Sequence, residues 1–206
     1  MSPCSLLRAG ECASRIVGYF EYFRQPQTIF RKAFCFAVQR LDMVAYTTEL
    51  PIRLDLDTSH VEVASRWATT GSWWSGVERV AIVEEVRRAR DADDLAPWEA
   101  PSQLDGLVAK DHLLPTAVVD AIWRITNHPG TLTAEWHASI LGQDVNPQAY
   151  VELVGVVAQA NAVDRFADAL NVARVTLPEA SSDQPLRSND NSAEVTSHWV
   201  PTAQVK

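Results

Sequence analysis

Cysteine is missing from residue 42 to the end of this 206-residue chain, and Cys4, Cys12 and Cys35 all lie ahead of that point. No two of them stand at CxxC spacing and none neighbours a histidine, so no zinc or dithiol motif is written here. The odd number also argues against a secreted disulfide framework. Thiol chemistry is thereby excluded from residues 42–206. Long apolar runs are missing too: charges interrupt every hydrophobic stretch before the roughly 18 residues that a membrane helix needs, so no transmembrane segment is expected. Positive charge is scarce, with 18 Lys and Arg against 26 Asp and Glu and a net charge of −8. Arg87, Arg88 and Arg90 are flanked by Glu84, Glu85, Asp91, Asp93 and Asp94. That pattern reads as a solvated helix surface rather than a basic face, and no nucleic-acid partner is expected.

What is present is uneven. Residues 1–41 carry Arg8, Arg15, Arg24, Arg31, Lys32 and Arg40 against Glu11 and Glu21, a local charge of +4 that leaves −12 for the rest. Phe30, Ala33, Phe34, Ala37 and Leu41 recur at helical spacing within it, the pattern of a short basic amphipathic helix. Such a helix suits a membrane surface or a targeting segment. An ordinary packing helix, or an extension ahead of a start at Met43, explains the same residues, and the abrupt change in composition favours the extension. The expected organisation is a basic extension over 1–42, one helical domain over 43–177 and a polar tail over 178–206, with His198-Trp199-Val200-Pro201 tacking the tail to the body.

Helix signals fill most of residues 59–171, and alternating strand patterns are nearly absent, so the fold class is all-α, a compact helical bundle. After an extended stretch over Leu50 to Leu56, Ser59-His60-Val61-Glu62 has the form of a capping box opening a helix to about Thr69. Ser75-Gly76-Val77-Glu78 repeats it, opening a helix to about Asp93 with Val80, Ile82, Val83 and Val86 towards a core and Glu84, Arg87 and Arg88 towards water. Ser102 caps a short helix bearing Leu104, Leu107 and Val108. Pro115 opens the next helix, which carries Ala117, Val118, Ala121, Ile122 and Ile125 and stops at Asn127-His128-Pro129-Gly130. A helix from Thr133 should end with Gly142 in the left-handed conformation, and Asn146-Pro147 should begin the longest helix, closed by Asn171. Gly155, in its middle, is expected at a close-packing contact.

Few constellations point to chemistry. Gly71 to Gly76 has the glycine spacing of a phosphate loop, but Val77 and Glu78 stand where lysine and Ser/Thr would be needed, so nucleotide binding is rejected. Glu135, Trp136 and His137 cluster at a helix start, and His128 would meet His137 only through a turn. No metal-ligand motif is present, and neither a metal nor another cofactor is expected. Asn161, Asp164, Arg165 and Asp168 share adjoining faces of the long helix. Arg165 is placed either to fork onto a carboxylate ligand or to make a packing ion pair, and the second is favoured.

The stretch Tyr150 to Leu170, with VELVG at its start and DRFADAL at its end, resembles the C-terminal helix of the alkylhydroperoxidase D and carboxymuconolactone decarboxylase superfamily. WWSGVERVAI, Trp73 to Ile82, is similar to the helix before that family's redox motif. The resemblance covers about residues 60–171. It implies an all-helical, usually oligomeric protein whose peroxidase members attack peroxide with a CxxC thiolate, served by an upstream glutamate and a downstream histidine. Glu78 resembles the family glutamate. Where the cysteines should fall, this chain reads Arg90-Asp-Ala-Asp-Asp-Leu95, with no cysteine and no following histidine. The resemblance therefore implies a peroxidase-related protein without thiol peroxidase activity. Glu78 and His137 are the candidate catalytic residues, although a partly buried or surface histidine is the favoured reading of His137; a small-molecule substrate and a homo-oligomer are expected, and with no signal-peptide pattern the cytoplasm is the simplest compartment. The alternative is a catalytically degenerate helical scaffold that binds a small molecule or assembles with partners.

Overall fold

The computed structural model describes residues 45–92, 95–143, 145–189, 191–195, 199, 200 and 202. Contacts divide the chain into Met1–Met43 and Val44–Lys206, and every described residue falls in the second unit. The three cysteines, the amphipathic pattern at 30–41, His198 and Pro201 lie outside the described residues.

The fold is all-α. Among the described residues five α-helices follow one another: α1 Leu54–Trp67, α2 Gly76–Asp91, α3 Thr116–Asn127, α4 Ala134–Leu141 and α5 Pro147–Leu170, with short 3-10 turns at Pro101–Gln103 and Pro129–Thr131. Among the described residues the one β pairing is an isolated antiparallel bridge between Glu194 and Thr202. Helices α2, α3 and α5 pack mutually, α1 lies on α2 and α5, and α4 lies on α3. Their shared core holds Ile82, Val83 and Val86 from α2, Val118, Val119 and Ile122 from α3, Leu153, Val156 and Val157 from α5, and Trp67 from α1, all sealed from solvent. Each such side chain stabilises the folded state by about 1.5–3 kcal/mol relative to exposure.

The helix ends explain themselves locally. Ser75 forms the expected capping box: its hydroxyl accepts from the Glu78 N–H while the Glu78 carboxylate accepts from the Ser75 N–H at 2.8 Å. Asn146 caps α5 with Pro147 in its first turn, and Asn171 closes it at φ 53°, the left-handed conformation that asparagine tolerates. Thr133 caps α4. Other expectations are corrected. Helix α1 begins at Leu54, five residues before Ser59, so residues 54–56 are helical rather than extended and the Ser59 hydroxyl donates to the Asp55 carbonyl one turn back. Asp55 and Asp57 in the first turn favour that earlier start by facing the positive end of the helix dipole. Ser102 caps no α-helix, because its N–H and hydroxyl both donate to Asp120. Gly142 ends α4 at φ −68°, a right-handed conformation open to any residue. Gly155 is exposed, and a Cβ there would meet nothing within 4 Å.

The close-packed glycines are Gly71 and Gly76. A Cβ on Gly76 would lie 2.3 Å from the Ala68 carbonyl and 2.7 and 2.8 Å from the backbone of Ser181. The reason is the segment after α5, which returns along the α1–α2 connection. The Ser181 N–H donates to Ala68, the Ser181 carbonyl accepts from Val77, and Arg187 N–H donates to Ser72. The polar tail is thus a strap, with Val175 and Leu177 packed on the core.

Candidate functional site

Glu78 and His137 have different partners. Glu78, at the start of α2, spends one carboxylate oxygen on the Ser75 N–H and hydroxyl, both at 2.8 Å. Its position is dictated by the cap, and no hydrogen bond joins it to His137 among the described residues. His137, on α4, is 5 % exposed. Its ring lies edge-on to Tyr150 of α5, with centroids 4.7 Å apart, and tilted by 35° against Trp199 at 6.0 Å. Burial holds the imidazole below its usual pKa, so the neutral form is favoured. Its Nε2 is buried without a hydrogen-bond partner. Trp136 extends the same aromatic face, 6.4 Å from Tyr150, with the Arg124 guanidinium 5.6 Å over its ring. His128 stands elsewhere: its Nε2 lies 2.8 Å from the Leu95 carbonyl, which can only accept, so that nitrogen carries the proton.

On α2, Glu84, Arg88 and Asp91 are exposed as a solvated surface would be, whereas Glu85 is buried and Arg87 half-buried in internal pairs. Asp164 of α5, fully buried, accepts a two-point fork from Arg87 at 2.8 and 2.9 Å, and Arg87 also donates to the Val175 carbonyl of the strap. The fork therefore comes from Arg87, while Arg165 is exposed. Asp168 accepts from Arg90 and from Arg174, and Arg174 forks onto Asp91 at 2.8 and 2.9 Å. These hydrogen bonds hold Asp91 below the usual carboxylate range and raise Arg174 above its own. Sequence reading placed Arg87 in water. The missing signal was the long-range partner, because Asp164 lies 77 residues away.

Glu85 is the other functional-looking group that the sequence reading put on the surface. It is 3 % exposed and accepts from Arg88 at 2.7 and 3.2 Å, from the Trp123 indole and from His112 at 3.1 Å. The His112 Nδ1 accepts from the Leu114 N–H, so Nε2 carries the proton given to Glu85. Both imidazole nitrogens are held within the protein, which makes the network an anchor for the loop before α3. A signal did exist: Glu85 is three residues after Ile82 and four before Ala89, on the buried stripe of α2.

The Gly71–Gly76 loop does hold an anion, but an internal one. The Trp73 N–H donates to Glu152 Oε2 at 2.8 Å, and Arg79 Nε lies 3.7 Å from Oε1. A Cβ on Gly71 would sit 1.7 Å from that oxygen. Near the other end of α5, the Tyr46 hydroxyl lies 2.7 Å from His60 Nδ1, and burial together with Asp164 and Asp57 pushes its pKa up to about 12. No group of three or more His, Cys, Asp or Glu among the described residues is arranged to hold a metal ion. No described helix is long and apolar enough to cross a membrane.

Compared with family models, with curated proteins and with solved structures, the chain matches none.

Proposed function

We propose that this chain is an alkylhydroperoxidase D-like helical protein that serves as a small-molecule-binding or self-assembling scaffold and performs no thiol peroxidase chemistry. The family reading rests on the residues of Tyr150 to Leu170 and Trp73 to Ile82. The loss of chemistry rests on one observation above the others: Glu78 is committed to the Ser75 cap and has no hydrogen bond to His137. A general acid or base must reach the proton it moves, directly or through one water. The only residues able to supply a thiol lie before Asp42. We place the protein in the cytoplasm, as a homo-oligomer whose binding face accepts a small molecule.

The test is reduction of an organic hydroperoxide, with a dithiol donor, by the full chain and by its C4S/C12S/C35S variant against a no-protein control. The proposal expects control rates from both. Turnover by the wild type alone would assign a working thiol to the N-terminal stretch. Turnover by the cysteine-free variant would replace the scaffold with a non-thiol enzyme, and Glu78→Gln would then test its acid–base group.

A further inference from the structure

Helix α4 is fixed to the bundle by very little. Its buried residues are two, His137 and Ile140, against three on α1 and six or more on each of α2, α3 and α5. Trp136 and Leu141 add partly buried contacts with the core. Among the described residues the hydrogen bonds of 133–143 all stay within that segment. Its flanks are pinned instead: the Thr131 carbonyl accepts from Arg124 at 3.0 Å, Val145 is buried and Asn146 caps α5. A short helix held by a few apolar contacts between fixed ends opens at a lower free energy than the core it lies on.

One of the two anchors is titratable. His137 is 95 % shielded, its ring meets Tyr150 at 4.7 Å and its Nε2 is buried without a partner. A neutral imidazole tolerates such a setting. An imidazolium does not, unless an opposite charge or hydrogen bonds replace the lost water. Among the described residues none does so. On α5 the facing group is Tyr150, which burial keeps protonated. The charge that α3 lays against this layer is a cation, Arg124, 5.6 Å over the Trp136 ring. On α4 itself Glu135 is exposed and engaged by the Thr133 hydroxyl, and Trp199, at 6.0 Å, carries no charge. Burial alone moves the His137 pKa, and it moves it down.

We propose that α4 is an acid-released flap: protonation of His137 undocks residues 133–143 from α3 and α5 while those helices stay packed with α2. Undocking returns the imidazole to water and uncovers the Tyr150 ring. In the open state His137 titrates near its ordinary 6.5, and in the docked state below it. Between the two values each fall of one pH unit therefore raises the ratio of open to docked α4, by up to tenfold. The device operates whether or not the protein serves as a scaffold.

Hydrogen–deuterium exchange of the full chain, followed by mass spectrometry at pH 7, 6 and 5 and corrected for the intrinsic pH dependence of amide exchange, reads the opening of each helix. The α4 amides are expected to be less protected than those of α3 at every pH. Their opening ratio should rise on acidification below pH 6.5, approaching tenfold per unit. His137→Phe keeps an aromatic ring at the anchor and removes its titration, so α4 protection in that variant should not change with pH. The same variant separates His137 from His128, which lies just ahead of the segment. Equal protection of α4 and α3 would mean that they open together and overturns the flap, as does α4 protection that is constant with pH in the wild type. Both readings come from the wild type alone, so they decide the matter even if His137→Phe does not fold. A pH dependence that persists in a folded His137→Phe overturns His137 as the trigger.

Discussion

A single carboxylate, Asp164, shows how far burial can change what a charged residue does. It is fully enclosed, and its two oxygens are satisfied by the Arg87 fork. Asp164→Ala should cost about 3–5 kcal/mol in urea unfolding, since it leaves a largely buried guanidinium without its counter-charge. A cost under about 1 kcal/mol would mean that the pair is solvated. The two glycines that carry opposite consequences are equally specific. Gly76→Ala puts a methyl group into the Ala68 carbonyl and the Ser181 backbone, and is expected to lower stability by about 1–3 kcal/mol by prising off the strap. Gly155→Ala fills open space in an exposed helix interior and should raise the unfolding free energy by about 0.5–1 kcal/mol, read as a higher urea midpoint. The sequence marked Gly155 as a packing residue because a mid-helix glycine costs stability and so invites a reason. Only the neighbouring segments reveal that Gly71 and Gly76 have one and Gly155 does not.

At the level of the helices, what was legible is what is encoded within one turn of chain. The Ser75 box, the Asn146-Pro147 start and the Asn171 stop use local hydrogen bonds, and all three are found. So are the buried positions Ile82, Val83, Val86, Val118, Ala121 and Ile122. The Ser59 box failed because the same four letters also fit a helix interior, where the Ser59 hydroxyl bonds one turn back. On the polar face of α2, Glu84 and Arg88 are exposed as expected, but Arg87 is half-buried and Glu85 buried, because a charged residue reads as exposed until its partner on another element is known. Helix α4 buries the His137 imidazole and α1 half-buries that of His60, and this has a consequence for pH. Burial lowers the pKa of His60 and of His137 below 6.5 in the folded state. The unfolded chain then binds more protons between the two values, so this stability is complete above pH 6.5 and is lost as pH falls towards the folded values. The urea midpoint should therefore decline from pH 7 to pH 5, and less steeply in His137→Phe. An unchanged slope in that variant would show that His137 titrates as it does in water.

Over the whole described unit, the C-terminal segment adds polar and aromatic contacts to helices that already pack on one another. Arg174 bridges the ends of α2 and α5, Ser181 pairs with the α1–α2 connection, and Trp199 reaches α4. The sequence called this stretch a tail because it lacks apolar content, and composition cannot register hydrogen bonds made by its backbone. The surroundings of the two candidate residues depend on contacts between elements, which the sequence does not write. Glu78 and His137 were both singled out, yet one serves as a helix cap and the other lies among aromatic rings. The commitment of Glu78 to the Ser75 cap, with no hydrogen bond to His137, is the basis for reading the protein as a scaffold. The most direct test is the initial rate of organic hydroperoxide reduction by the full chain carrying C4S, C12S and C35S. The account predicts the rate of the no-protein control, and a rate above it that falls in Glu78→Gln would contradict the account.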